Sequence, residues 1–431
     1  MKRFLVFVLS IFLVLFQFGC DRVNDSPVNK TVAVNPEPSV QLPATTPPNK
    51  TPQPSNVAGE AIELIGKIGG KYELLPSGDL KSISISGDEI TAGMFDVFAK
   101  QSELTEIKIT NFQNFNNEIL QKLTALKKIT NLTIANSAVT DSLVAVIVDS
   151  FPLLRVLDLS RNTSLTDDSV IKISQLRDLE VLILVYCSIS ESRLSEFLKL
   201  TKLRALDIRG NLSIGNTGLG ILTGLPALRS LKHSSPAVDD DGIKALAAAK
   251  NLDTLDIQDF AISDASGAEF KNIPKLSNLI LYRCTNFGSA GILALQGKPL
   301  KRLTLRDIPG IDDASLEAFR ELSTLKRLYL QELSFVSDDG LRNLIYLKEL
   351  ETLEIRNMPI ISDKTIEPIT RLSNLKTLAI IGTQITDKSI DLLLSLPKLK
   401  ELTLKNNTAI TEEAKTKLRK SKKFSVLNIS E

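Results

Sequence analysis

The sequence has very few of the residues on which most catalytic and metal sites depend. It contains no tryptophan, one histidine and three cysteines in 431 residues, and aromatic residues make up only 5%. A single histidine excludes the usual zinc arrangements. The net charge of +2 gives no general field for nucleic acid, since nucleic-acid-binding proteins are usually strongly basic. The apolar content of 43% is carried mainly by Leu, Ile and Val, which suits a fold of many similar small layers.

The longest apolar run lies at the N-terminus and predicts an export signal over residues 1–19. Lys2 and Arg3 precede the run Phe4–Phe18, which is shorter than the roughly 20 residues that a helix needs to cross a bilayer. Gly19 then stands directly before Cys20. This arrangement resembles the lipobox of bacterial lipoproteins, which implies cleavage before Cys20 and a diacylglycerol group on its sulfur. Ordinary export and an uncleaved anchor are the alternatives.

Residues 20–58 are rich in proline and are predicted to form a disordered tether. Eight of the 18 prolines of the chain fall here, and the stretch has no glycine and no aromatic residue. Such a composition buries too little apolar surface to offset the entropy lost on folding. Fully extended, the tether would span up to about 120 Å, at roughly 3.1 Å per residue.

A leucine motif recurs throughout the rest of the chain at steps of 24 or 25 residues. The motif is L-x-x-L-x-L, with Ile, Val or Phe in some places, and such a fixed period is typical of solenoid proteins. Its first residues are Leu80, Leu104, Ile129, Leu154, Leu179, Leu203, Leu228, Leu252, Leu276, Leu300, Leu325, Leu350, Leu375, Leu399 and Phe424. We therefore expect about fourteen repeats over residues 80–431, preceded by an N-terminal cap over residues 59–79.

Each repeat predicts one strand and one helix. The leucine motif alternates apolar and polar residues, which indicates a short half-buried strand. A Thr or Ser followed by an acid comes ten to twelve residues later, as in Ser337-Asp338 and Ser362-Asp363, and these residue types favour helix starts. Apolar residues then recur every three or four positions. The expected fold is α/β: a right-handed horseshoe with a parallel sheet on its concave face and helices on its convex face.

The unit L-x-x-L-x-L-x-x-[N/C]-x-x-[I/V]-[T/S]-D resembles the leucine-rich repeats of the ribonuclease-inhibitor-like and cysteine-containing class. The overall plan of export signal, tether and repeats resembles bacterial leucine-rich repeat lipoproteins. The segment Ala61–Ile65 with Ile68-Gly69-Gly70-Lys71 is similar to the cap that precedes such repeats. The resemblance implies the horseshoe fold, but repeats of this class serve inhibitors, receptors, ligase adaptors and effectors alike.

The repeat register assigns the chemically reactive residues to structural positions. Cys187 and Cys284 each stand eight residues after a motif leucine, where other repeats have Asn, so both are expected to be buried free thiols. His233 occupies an inward strand position and should be satisfied by backbone groups. The acidic run of residues 239–241 falls at a helix start, so capping is favoured over metal binding. No catalytic residue, metal or cofactor is predicted.

The third, fifth and seventh motif positions should face away from the helices, on the surface where solenoids bind partners. Asp158, Asp207 and Asp256 fall at fifth positions, and Lys232 could pair with the latter two. Further along, this face becomes basic and aromatic. The predicted ligand-binding residues are Tyr282, Arg283, Arg302, Arg306, Arg327, Tyr329, Gln331, Glu354 and Arg356. Arg and Tyr dominate binding energy at interfaces, although a solvated face whose charges only maintain solubility is the alternative.

These observations together predict a non-catalytic module that is exported, lipid-anchored to a bacterial cell-envelope membrane, and bound to a protein or peptide rather than to nucleic acid. A structural spacer of envelope layers without a single tight ligand is the alternative, and an enzyme is disfavoured. The basic run of residues 415–423 is expected to cap the last helix and the sheet edge. Contact of this run with anionic lipid or wall polymer is the other interpretation.

Overall fold

The computed structural model describes residues 53–430 and shows one sixteen-stranded sheet in which every strand lies next to its neighbour in sequence. The first two strands pair antiparallel, and all later neighbours pair in parallel. The strands are β1 Lys71–Leu74, β2 Leu80–Ser86, β3 Glu106–Thr110, β4 Asn131–Ala135, β5 Val156–Asp158, β6 Val181–Ile183, β7 Ala205–Asp207, β8 Ser230–Ser234, β9 Thr254–Gln258, β10 Asn278–Tyr282, β11 Arg302–Arg306, β12 Arg327–Gln331, β13 Thr352–Arg356, β14 Thr377–Ile381, β15 Glu401–Lys405 and β16 Val426–Ser430. The α/β leucine-rich repeat solenoid predicted from the sequence is confirmed.

Helical segments connect the strands. The α-helices are α1 Asn56–Lys67, α2 Met94–Phe98, α3 Asn117–Leu123, α4 Asp141–Ser150, α5 Asp167–Ile173, α6 Asn216–Leu222, α7 Asp240–Ala245, α8 Ser266–Asn272, α9 Ser289–Leu293, α10 Asp338–Leu341, α11 Ile366–Thr370, α12 Ser389–Ser395 and α13 Glu412–Lys420. The 3-10 helices are Glu191–Lys199, Leu246–Ala248, Ala314–Arg320, Arg342–Tyr346 and Asp363–Thr365. The apolar period therefore places buried residues correctly, but it does not distinguish a 3-10 turn from an α-helix.

The folded part begins slightly earlier than the predicted cap boundary at residue 59. Helix α1 starts at Asn56, and the Ser55 side chain accepts a hydrogen bond from the Ala58 amide. A Ser at this position favours a helix start because it satisfies an otherwise unpaired amide. The end of the stretch assigned to the tether is thus helical. The predicted signal segment, Cys20 and the tether up to residue 52 lie outside the described residues.

The motif leucines form the core between the strands and the helical segments. Leu279, Leu303 and Leu328 occupy the fourth position of successive repeats, pair in register across β10 to β12, and are fully buried. Burying such a side chain stabilises a fold by about 1.5–3 kcal/mol. Each repeat alone offers only one layer of this core, so stacking of neighbours is what completes it.

At many helix starts, an acid reaches across to the following repeat. Asp338 accepts from the backbone amide of Ser362 at 3.0 Å and from its hydroxyl at 2.6 Å, and it also accepts from the Thr365 hydroxyl. Ser362 in turn accepts from the Lys364 amide at the helix start. The same bond to the next repeat is made by Asp141, Asp167, Asp240, Asp313, Asp363 and Asp387. These acids therefore connect successive repeats, a role that helix capping alone does not imply.

In most repeats, the residue at the eighth motif position ends the strand in a left-handed backbone conformation. Asn111, Asp259, Arg283 and Glu332 are examples, with φ between 51° and 59°. Their amides continue the strand ladder, as when the Arg283 amide donates to the Arg306 carbonyl at 3.1 Å. Side chains of different chemistry are thereby aligned along one edge of the sheet.

Within residues 53–430 the structure contains no helix that is both long enough and apolar enough to cross a membrane.

Candidate ligand-binding face

The side of the sheet that carries the third, fifth and seventh motif positions is called here the open face. Strand register aligns equal positions of neighbouring repeats, so three rows of side chains run along it. In the seventh row Tyr282 is the register partner of Arg306, which is followed by Gln331 and Arg356. The open face is where the predicted ligand-binding residues come together.

The nine predicted residues form one continuous group on β10 to β13, called here the Arg/Tyr cluster. Tyr282, Arg306, Gln331 and Arg356 lie in the seventh row. Tyr329 and Glu354 are register partners in the fifth row, Arg302 and Arg327 are register partners in the third row, and Arg283 follows Tyr282 at the eighth position. All nine are half-buried except Arg327, which is exposed.

Guanidinium groups lie over both tyrosine rings of the cluster. The Tyr282 ring has the guanidinium carbon of Arg283 at 4.3 Å and that of Arg306 at 4.4 Å from its centroid. The guanidinium carbon of Arg302 lies 4.7 Å from the centroid of the Tyr329 ring. Such cation–π contacts contribute about 0.5–1 kcal/mol each at exposed sites. They hold long side chains in defined positions before any ligand arrives.

Three of the five arginines are compensated by carboxylates of the protein. Arg283 makes a two-pronged contact with Asp259, at 2.6 Å to one oxygen and 2.8 Å to the other. These hydrogen bonds raise the pKa of the Arg283 guanidinium above its usual range. Arg306 lies 3.4 Å from Glu332.

Glu354 accepts from two cluster side chains at once. Arg356 donates to it at 2.6 Å, and the Gln331 side-chain amide donates to the same oxygen at 2.8 Å. Arg356 and Glu354 stand two residues apart on one strand, so both point to the same face. Part of the positive charge predicted for this region is therefore neutralised within the protein.

Arg302 and Arg327 are the two arginines of the cluster that form no ion pair with any residue in the range 53–430. Arg302 stacks on Tyr329 and has only a long contact of 3.4 Å to the Thr304 hydroxyl. Arg327 is exposed and makes no side-chain hydrogen bond or ion pair within that range. The two residues are register partners on adjacent strands.

Asp259 and Glu332 belong to the site but were missed at the level of sequence. Both occupy the left-handed eighth position, next to an arginine of a neighbouring repeat. The sequence does carry a signal for them. Each is an acid at the eighth position, and an adjacent repeat has an arginine at its seventh or eighth position.

The expected pairing of Lys232 with Asp207 and Asp256 is met only in part: Lys232 makes no direct ion pair with either acid within residues 53–430, but its charge favours the ionised form of Asp256. Lys232 is the register partner of both acids, but Asp207 is bound by Arg209 of its own repeat, at 2.9 and 2.7 Å. Asp256 accepts no hydrogen bond from residues 53–430, and burial raises its pKa against the attraction of nearby cations. For Asp207, a residue two positions along the same chain thus takes the place of the cross-strand lysine as ion-pair partner.

The residues with reactive side chains lie in the structural positions expected for them. Cys187 and Cys284 are buried free thiols, and burial raises the pKa of each to about 12. The Cys187 thiol donates to the Leu159 carbonyl at 3.5 Å, and backbone groups of Arg161 and Asn162 also lie within its reach. His233 is fully buried, and one ring nitrogen contacts the Ile214 carbonyl at 3.0 Å while the other makes no hydrogen bond within residues 53–430, so the backbone satisfies one of the two nitrogens. Burial lowers the pKa of His233.

The acidic run at residues 239–241 starts a helix, as expected. Asp239 accepts from the Asp241 amide, whereas Asp240 accepts from the hydroxyl and amide of Ser263 in the next repeat. Among residues 53–430 no group of three or more His, Cys, Asp or Glu side chains is arranged to hold a metal ion.

Most of the basic side chains near the C-terminus contact groups of the protein itself. Lys423 donates to the carbonyls of Leu394 and Leu396, which end a helix of the preceding repeat. Ion pairs involve Lys415, Lys417 and Arg419. Lys417, Arg419 and Lys420 lie in the last turn of the last helix, as expected, whereas Lys423 caps helix α12 of the preceding repeat. Contact with anionic lipid or wall polymer stays an untested alternative.

The chain is thus a leucine-rich repeat solenoid in architecture. No family model matches it, and no curated protein matches its sequence. Among solved structures it is similar to an internalin from Listeria monocytogenes, with 18% identity over 88% of this chain and 97% of that one and a TM-score of 0.44. It is also similar to a leucine-rich repeat protein from Leptospira interrogans, with 19% identity over 84% of this chain and 94% of that one and a TM-score of 0.46. These similarities concern the fold alone.

Proposed function

We propose that this protein is a non-catalytic binding module that holds a protein or peptide ligand against the Arg/Tyr cluster of its open face. The observation that carries the proposal is the stacking of three guanidinium groups on the two tyrosine rings. Arg and Tyr are enriched among the residues that dominate binding energy. Side chains that are already held in place lose less entropy on binding, which increases affinity.

The distribution of charge supports a protein or peptide over nucleic acid as the ligand. A nucleic-acid surface needs many uncompensated cations to neutralise successive phosphates. In the cluster, Arg283, Arg306 and Arg356 each lie beside a carboxylate. A mixture of donors, acceptors and aromatic rings is instead typical of interfaces between proteins.

The test is capture of a ligand from envelope and secreted fractions of the organism that makes the protein. Wild type is compared with a variant that combines Arg306→Gln, Arg327→Gln and Tyr329→Ala. A control variant combines Arg342→Gln and Arg371→Gln, which replace two exposed arginines outside the open face. Circular dichroism checks that all three proteins are folded.

We expect one saturable partner that binds wild type and the control alike. The triple variant should bind it at least about thirtyfold more weakly, because a residue central to an interface contributes about 2 kcal/mol or more. Equal affinity for the triple variant and wild type would show that the cluster is not the binding surface. Weak, salt-sensitive retention of many proteins would favour the spacer function instead.

We also propose that the module is attached to a membrane of the cell envelope through Cys20. The support is the sequence alone: an apolar run, a small residue before a cysteine, and a proline-rich stretch after it. Palmitate labelling of cells that produce wild type or Cys20→Ala tests this. Labelling of wild type only is expected, and equal labelling of both proteins would rule lipidation out.

A further inference from the structure

The two unpaired arginines of the Arg/Tyr cluster stand side by side. Arg302 and Arg327 are register partners on β11 and β12, and adjacent strands lie about 4.8 Å apart. Neither makes a direct ion pair with any residue from 53 to 430, and Arg302 has only a longer-range attraction to Asp256. Two cations on adjacent strands with no carboxylate in direct contact can both be neutralised by one anion that binds between them.

The geometry of Arg302 favours an anion with two oxygens in one plane. Its guanidinium carbon lies 4.7 Å from the centre of the Tyr329 ring, so its orientation is set before a ligand binds. A planar guanidinium group matches a carboxylate through two parallel hydrogen bonds. Arg327 is exposed and unconstrained by any such contact, so it can turn to meet the same carboxylate.

The surroundings of the pair oppose a long polyanion. Glu354 is the register partner of Tyr329 on one side. On the other side Asp256 lies two strands before Arg302, in the fifth row of the same face. A nucleic-acid backbone laid across the strands would pass over a carboxylate on each side of the pair. A single carboxylate on a chain with neutral neighbours would not.

We infer that the Arg302–Arg327 pair binds the carboxylate of an Asp or Glu side chain in an acidic peptide segment of the partner protein. This inference rests on the proposed function, because it names the chemistry of the ligand at the same site. Tyr329 serves as a positioning residue, since its ring orients Arg302.

The probe is a random library of 12-residue peptides displayed on phage and selected on the full-length protein in mild detergent. We expect the selected peptides to be enriched in Asp and Glu relative to the unselected library. The best peptide is then synthesised with and without replacement of its acids by the amides Asn and Gln. Both forms are titrated against the protein by fluorescence anisotropy.

The double variant Arg302→Gln/Arg327→Gln should bind the acidic peptide at least about tenfold more weakly, a loss typical of a removed charged hydrogen-bonding group. The control Arg342→Gln/Arg371→Gln changes the net charge equally and should bind it as wild type does. The amide form of the peptide should bind weakly to all three proteins. A 12-nucleotide oligothymidylate added as a competitor should displace the peptide poorly.

The contrary outcomes separate this inference from the proposed function. If the selected peptides contain no acids but lose binding to the variant Arg306→Gln/Tyr329→Ala, the cluster binds peptides without recognising a carboxylate. That result would overturn this inference and leave the proposed function in place. Peptides that bind all cluster variants equally, or the absence of any selected peptide, would overturn both. Tighter binding of the oligonucleotide than of any peptide would show that the unpaired arginines recognise phosphate.

Discussion

The carboxylate of Asp338 is expected to hold two neighbouring repeats together, and Asp338→Ala tests this. The substitution leaves the Ser362 amide, the Ser362 hydroxyl and the Thr365 hydroxyl without their acceptor. Hydrogen bonds to a charged group contribute about 1.5–3 kcal/mol each when buried. Because Asp338 is only partly buried, water replaces some of them, and we expect a loss of about 2–4 kcal/mol in the free energy of unfolding.

Asp339→Ala is the matched control. Asp339 lies in the same first helical turn and has the same favourable interaction with the helix dipole, but its contact is an exposed ion pair with Arg342. Loss of that contact and of the dipole interaction should lower the free energy of unfolding by only about 0.5–1 kcal/mol. The two effects therefore separate the bond between repeats from the general benefit of an acid at a helix start.

Urea unfolding followed by circular dichroism measures both variants, and hydrogen exchange at the Ser362 amide gives a local reading. In Asp338→Ala that amide should exchange faster than in wild type, because it has lost its acceptor. Equal destabilisation by the two substitutions, or unchanged exchange at Ser362, would refute the role of the acid as a connection between repeats.

Three further predictions concern pH, thiol reactivity and a buried amide. Burial raises the pKa of Asp363, but hydrogen bonds from the next repeat outweigh burial and lower that pKa overall. The contribution of the Asp363 carboxylate to the stability of the folded protein is therefore complete above about pH 4 and is lost as the pH falls further. Asp363→Asn should lower the free energy of unfolding at neutral pH and should reduce the further decrease that wild type shows between about pH 4 and pH 2. Urea titrations at each pH measure this, and an acid-induced decrease as large as that of wild type would contradict it. Burial raises the pKa values of Cys187 and Cys284 to about 12, so neither thiol should react with a thiol-specific reagent at pH 8 in the folded protein. Both should react once the protein is unfolded in guanidinium, and rapid labelling of the folded protein would be contrary evidence. Asn162→Ala removes side-chain bonds to four buried backbone groups and should lower the free energy of unfolding by about 2–4 kcal/mol; a loss below about 1 kcal/mol would count against this account.

The period of the leucine motif was sufficient to predict the strands and their order. The motif starting at Leu300 predicts Arg302 and Arg306 on one face, and β11 spans those residues with both side chains on the open face. The reason is physical: a fixed repeat length and an alternating pattern leave one register that buries every leucine. The helix starts at Ser337 and Ser362 followed from their capping chemistry in the same way.

The pairing of charges could not be predicted with the same certainty. Asp207 is bound by Arg209 and not by Lys232, because several charged side chains lie within reach and the choice depends on rotamers and on local backbone direction. The left-handed eighth position is equally hard to recognise. It is occupied by Asn, Asp, Arg, Tyr and Glu as well as Gly, so no single residue type marks it. The acids that compensate the Arg/Tyr cluster were missed for this reason.

Site-specific photocrosslinking tests most directly whether the open face binds the ligand. A benzophenone side chain is placed at Gln331, in the seventh row of the Arg/Tyr cluster, and in a second protein at Glu367, which is exposed on helix α11. Each protein is irradiated in the presence of the captured partner. We expect a crosslinked product from position 331 and none from position 367. A product from position 367 alone, or equal products from both, would mean that the open face is not the specific binding surface.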